Sequence, residues 1–84
     1  AQARGGRLMH LDYDSDADAL YITFREETQG RVVSHELDER RHIDRDDLGD
    51  VGVEILQVSR GVNLTGLPRR EEIAALLNAI PHTV

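Results

Sequence analysis

The chain is 84 residues long with a formal net charge of −6, no cysteine and no lysine, so arginine supplies every permanent positive charge. That length allows one domain, burying only about 60–65% of the surface its unfolded chain exposes, and with no cysteine it holds neither disulfides nor thiolate metal sites. The acidic balance argues against a nucleic-acid backbone as partner, no apolar run approaches the roughly 20 residues of a membrane span, and no signal-peptide pattern is present.

Residues 1–8, Gly-rich and basic, read as a flexible leader, either an expression remnant or an upstream extension, and residues 9–84 as a single domain. Met9–Tyr13 is the first predicted strand, with Met9, Leu11 and Tyr13 alternating with His10 and Asp12, the period of two of a sheet with one buried face. Asp14-Ser-Asp-Ala-Asp18 is rich in residues that turn the chain by bonding their own backbone. Ala19–Phe24 follows as a strand, with Leu20, Ile22 and Phe24 on one face and Tyr21 and Thr23 on the other. Residues 25–31 are polar, hold Gly30 and read as a loop.

Val32–Asp38 is the third predicted strand, with Val33, His35 and Leu37 opposite Ser34 and Glu36. Glu39-Arg40 connects it tightly to a fourth, Arg41–Asp46, and Asp47-Leu-Gly-Asp50 turns into a fifth, Val51–Val58. Val51, Val53 and Ile55 share one face of this last strand, while Leu56 and Val58 make the other face apolar too, so its second half belongs at the centre of the sheet or under cover. After a Gly-containing connection over 59–66, a helix starts near Pro68, with Glu71 and Glu72 complementing the dipole of its first turn. Ile73, Leu76, Leu77 and Ile80 form one apolar stripe that must bury itself on the sheet, and Pro81 ends it.

Three groups of residues could carry chemistry. Asp12, Asp14, Asp16 and Asp18 alternate as in a calcium loop, yet the sixth and twelfth positions hold Ala17 and Thr23 counted from Asp12, or Ala19 and Arg25 counted from Asp14. Both registers fail, so a solvated turn in which Asp14 or Asp18 accepts backbone N–H bonds is favoured over a metal site. A two-residue turn at Glu39-Arg40 pairs Asp38 with Arg41 and His35 with Asp44; the latter is a proton-transfer or metal-ligand couple, or more commonly a structural hydrogen bond. Glu54 lies in the most apolar strand, where it either faces solvent or is buried beside an arginine with a perturbed pKa. No serine lies in a nucleophile-elbow context, no phosphate-cradling glycine loop is present, and the three aromatic residues are too few for a base-stacking platform. Tyr13 and Tyr21 read as sheet residues with a wet hydroxyl end.

Two stretches, Leu11-Asp-Tyr-Asp-Ser-Asp-Ala-Asp-Ala-Leu-Tyr-Ile22 and Ile43-Asp-Arg-Asp-Asp-Leu-Gly-Asp-Val-Gly-Val-Glu-Ile-Leu56 with Ser59 after it, together resemble the domain of unknown function 2283 family of small, mostly bacterial proteins. The resemblance covers most of residues 9–59 and implies a compact β-meander with a terminal helix. It implies no activity. Neighbouring toxin-like genes make an antitoxin-like, partner-binding role its only functional suggestion.

The sequence therefore predicts an α+β fold, an antiparallel β-meander of about five strands packed by one C-terminal helix. The favoured function is a non-enzymatic protein-interaction module in the cytoplasm, self-associating or bound to a small basic protein, with no cofactor, nucleic acid or membrane. A small core without a staple gains stability from a partner, and an acidic surface speeds association with a basic one. Asp14, Asp18, Tyr21 and Glu54 are the candidate binding residues. The alternative is an enzyme or metal-dependent site built from Glu54, Asp44, His35 and Asp14, which requires those side chains to converge.

Overall fold

The computed structural model describes residues 9–78. Five strands form, β1 (His10–Asp14), β2 (Ala19–Thr23), β3 (Val33–Asp38), β4 (Arg41–Asp46) and β5 (Gly49–Leu56), then a 3-10 turn (Val58–Arg60) and one helix, α1 (Arg70–Asn78). All neighbouring strands are antiparallel, so the expected α+β architecture is the one the chain adopts. The leader at 1–8 and the predicted end of the helix at Ile80 and Pro81 lie outside the described residues.

The sheet order is β1-β2-β5-β4-β3, which departs from a plain meander. A β1–β2 hairpin and a β3–β4–β5 meander join through β2 and β5, and residues 24–32 carry the chain from the inner strand β2 to the far edge. Asp46 organises that crossing. Its carboxylate accepts from the Arg25 guanidinium at 2.6 and 3.2 Å, from the Gln29 N–H at 2.6 Å and from the Leu48 N–H at 2.9 Å. The loop thereby runs past the β4–β5 turn, where the Asp47 N–H also donates to the Gln29 carbonyl. β5 is central, as its apolar residues on both faces predict.

Directly paired residues share a face, so the registers sort the side chains into two layers. Leu11, Ile22, Val53 and Ile43 make one row across four strands on the inner side, with Leu20 and Ile55 beside them. Together with Phe24, Leu67 and Ile73 of α1 they form the core, in which Ile22, Val53 and Ile73 are fully buried. The predicted helical stripe thus finds the sheet, with Leu77 packing on the same cluster. α1 starts two residues after Pro68 because Arg69 has φ of +55°, a left-handed conformation that a helix interior does not accept. The Arg69 carbonyl still accepts the Ile73 N–H, its side chain pairs with Glu72, and its guanidinium lies 5.0 Å over the Phe24 ring.

Two consecutive arginines tie the segment after β5 to the sheet. Arg40 donates to the carbonyls of Leu56, Gln57 and Gly61, and Arg41, itself buried, donates to those of Asn63 and Thr65 and to the Asp38 carboxylate at 2.8 Å. Gln57, at φ of +54°, turns the chain so that Val58 packs on the inner cluster, whereas strict alternation from Leu56 places both on the outer face.

β3 departs furthest from its sequence reading. It is an outer edge, and the side shared by Val33 and His35 is uncovered, with Val33 44% and Leu37 41% exposed. The Glu39-Arg40 turn and the Asp38–Arg41 pairing form as predicted, but a bulge at Leu37 shifts the register beyond them. Glu36 pairs with His42, His35 with Ile43 and Ser34 with Asp44, so the predicted His35–Asp44 couple does not form. One inserted residue moves every following side chain to the opposite face.

Candidate functional site

The side of the sheet turned away from α1 carries the polar cluster. One row across all five strands reads Asp12, Tyr21, Glu54, His42, Glu36, and the next reads His10, Thr23, Gly52, Asp44, Ser34. Tyr21 stands on β2 and spans β5 diagonally to donate its phenol to Asp44 on β4 at 2.7 Å. The ring crosses where a side chain at position 52 would stand. A Cβ there would lie 2.8 Å from the Tyr21 oxygen and 2.5 Å from the Ile22 carbonyl oxygen, so glycine is what lets the tyrosine lie down on the sheet.

The Tyr21 phenol is pushed well above its ordinary range, first by burial and then by the Asp44 carboxylate, with Glu54 adding to it. Its hydroxyl is thus a bound donor and not the wet end the sequence suggests. Glu54, of the two alternatives, is not buried beside an arginine: it stands half-buried on this side with Tyr21 and His42 as cross-strand neighbours. His42 takes the place foreseen for His35, and its Nδ1 is sequestered without a hydrogen-bond partner. Alternation along β4 sets His42 on the side of Asp44, a signal present in the sequence, and the Leu37 bulge takes His35 off that side.

Asp14 and Asp18 lie apart from this cluster, in the β1–β2 turn. Asp14 accepts the N–H groups of Asp16 at 3.0 Å and Ala17 at 3.3 Å. Asp18, left-handed at φ of +54°, accepts the Tyr13 phenol at 3.1 Å, the Ser59 N–H at 3.0 Å and the Ser59 hydroxyl at 2.6 Å. The Ser59 hydroxyl is the main reason its carboxyl is held below the usual range, and the bond to Asp18 is the main reason the Tyr13 phenol is raised. This constellation clips the first hairpin to the 3-10 turn after β5, and it explains why the acidic turn and the distant Ser59 belong to one motif.

Of the predicted site residues, then, the structure brings together Tyr21, Asp44 and Glu54, with His42 joining them. It places Asp14 and Asp18 in a separate turn and His35 on the opposite side of the sheet. The four-residue set of Glu54, Asp44, His35 and Asp14 does not converge. Among the described residues no group of three or more His, Asp or Glu side chains is placed to hold a metal ion. An open concavity of about 630 Å³ lies at the start of α1, lined by Gly66, Leu67, Arg69, Arg70, Glu71 and Glu72, away from the Tyr21 cluster. No helix among the described residues is long and apolar enough to cross a membrane.

No curated protein and no solved structure matches the chain. Residues 10–59, which hold both the Asp18–Ser59 clip and the Tyr21–Gly52–Asp44 contact, match the family model described as protein of unknown function (DUF2283), and because that match covers more than half of the chain, the chain belongs to this family.

Proposed function

We propose that this domain is a non-enzymatic protein-interaction module that works by self-association. The observation that carries this reading is the one-sided cover of the sheet. α1 buries the β2–β5 side, while Val32, Val33 and Leu37 stay exposed together at the β3 edge. Exposed apolar side chains grouped at one edge mark interaction surfaces, and a small one-sided core gains from covering them. The carboxylates with the best-defined geometry are engaged in holding the fold: Asp14 and Asp18 in the hairpin turn, Asp46 in the crossing, and Asp38 on Arg41. Tyr21 is kept protonated, the direction opposite to that of a base or nucleophile.

Size-exclusion chromatography with light scattering tests the reading. A mass of twice the chain at micromolar concentration supports it. A strict monomer that unfolds at the same temperature at every concentration overturns it.

A second reading, a basic protein partner, has its own observation. The open face presents Asp12, Asp14, Glu36, Asp44 and Glu54, and none of the strand residues facing that way is an arginine. Association through that face would be fast and would weaken steeply with added salt.

A further inference from the structure

We infer that the partner of the β3 edge is a second copy of this chain, paired antiparallel through β3 with His35 on the two-fold axis, so that two five-stranded sheets continue as one. The inference rests on the self-association reading and adds the surface, the partner and the register. Among the described residues β3 is an unpaired edge, so one row of its backbone N–H and C=O groups faces outward and offers a template for another strand. A two-fold contact between copies must be self-complementary, with residue i meeting j and j meeting i.

The segment Val33-Ser-His-Glu-Leu37 meets that condition. An antiparallel pairing centred on His35 sets Val33 against Leu37 of the second copy, and Ser34 against Glu36 of the second copy. Apolar thus meets apolar on one side, and a hydroxyl donor meets a carboxylate on the other. His35 faces its own copy, which imidazole allows because its ring carries both a donor and an acceptor when neutral. The flanking charges are already matched within one chain, since Asp38 is paired with Arg41 and Arg45 with Asp50. The bulge lies at the Leu37 end and leaves 33–36 as a regular ladder against β4. Leu37 also lies beside Gly66, so the apolar strip adjoins the segment that precedes α1.

On the opposite edge the corresponding mid-strand register is unfavourable. Centring β1 on its middle residue would set Asp12 against Asp12 of the second copy, two like charges face to face. Tyr13 is also held there by Asp18, and His10 is paired with Glu26 at 2.7 Å. Pairing β3 of one copy with β1 of the next would generate open chains of molecules and not a closed dimer.

The absence of native cysteine makes a direct test available. In the dimer a cysteine on the two-fold axis faces its own copy at the Cα separation a disulfide requires, about 4.5–5.5 Å across an antiparallel pair. The His35→Cys variant is therefore expected to oxidise to a covalent dimer in air, and the matching Asp12→Cys variant on β1 to stay monomeric on a non-reducing gel. Val33→Lys, at an exposed position, is expected to run at half the native mass with unchanged far-ultraviolet circular dichroism. A native dimer that survives Val33→Lys while Asp12→Cys cross-links overturns the β3 assignment and leaves self-association standing. A native chain that is monomeric throughout overturns both.

Discussion

Asp46 accepts four hydrogen bonds with a side chain that is 0% exposed, and Asp18 and Asp38 are likewise surrounded by donors. All three carboxyls are held below the usual carboxylate range: Asp46 mainly by Arg25, Asp18 by the Ser59 hydroxyl and Asp38 by Arg41. As pH falls, the unfolded chain therefore takes up protons before the folded one. Their contribution is complete above about pH 4 and is lost below it. Thermal unfolding followed from neutral pH to pH 3 should show a falling midpoint on that acid limb. Asp46→Asn should be less stable at neutral pH and have a shallower limb, because one of the titrating groups is gone.

Tyr21 works in the other direction. Its phenol is raised, so above about pH 10 the unfolded chain ionises first and stability declines as pH rises further. Tyr21→Phe should remove the steep part of that alkaline decline. It should also cost about 1 kcal/mol at neutral pH, the net worth of one hydrogen bond, as read by urea denaturation.

At the scale of elements, close approach and register decide more than propensity does. β5 is central, flanked by β2 and β4, and at Gly52 it has room only for backbone beneath the Tyr21 ring. Gly52→Ala places a methyl group 2.5 Å from the Ile22 carbonyl oxygen, a contact that only a backbone shift relieves. The expected loss is about 1–3 kcal/mol, measured by the same denaturation. α1 is short, and Ile73 is its buried anchor. Ile73→Ala removes a fully buried branched side chain and should cost about 2–5 kcal/mol. Domains have only about 5–15 kcal/mol in total, and this one is small, so the variant should show a much lower melting temperature or no cooperative transition. The Leu37 bulge acts at this scale as well: it turns His35 away from Asp44, while His42 keeps the acidic face that it shares with Asp44 by alternation along β4.

At the scale of the molecule, the consequence of α1 lying on one side of the five-stranded sheet is unequal cover among the described residues. The β2–β5 side is closed, and the β3 edge is left with exposed valine and leucine. A dimer that covers this edge links folding to association, so the melting temperature should rise with protein concentration. A dilution series in scanning calorimetry reads that directly, and Val33→Lys should abolish the dependence while leaving the fold intact. An interface built from one strand edge and a narrow apolar strip lies at the small end of specific protein contacts, where association is readily reversible.

Much of this architecture is legible in the chain itself. The period of two over 9–24 and 32–56 and the i, i+3, i+4 stripe after Pro68 define strands and helix, because each pattern buries a face only in its own geometry; past Leu56 the left-handed Gln57 ends the alternation that the sequence carries on to Val58. The turn at Glu39-Arg40, the Asx turn at Asp14 and the central place of β5 follow from local chemistry and composition. Strand order, by contrast, depends on Asp46 gathering the Arg25 guanidinium and the Gln29 amide across more than fifteen residues of sequence, and no local pattern announces such a gathering. The same holds for the phenol of Tyr21 reaching Asp44 over Gly52, for Asp18 meeting Ser59, and for the bulge that takes His35 away from Asp44. Side-chain periodicity is set by neighbouring residues and is written in the sequence. Register, order and long-range pairing are set by which distant groups satisfy one another, and only the folded chain brings those groups together.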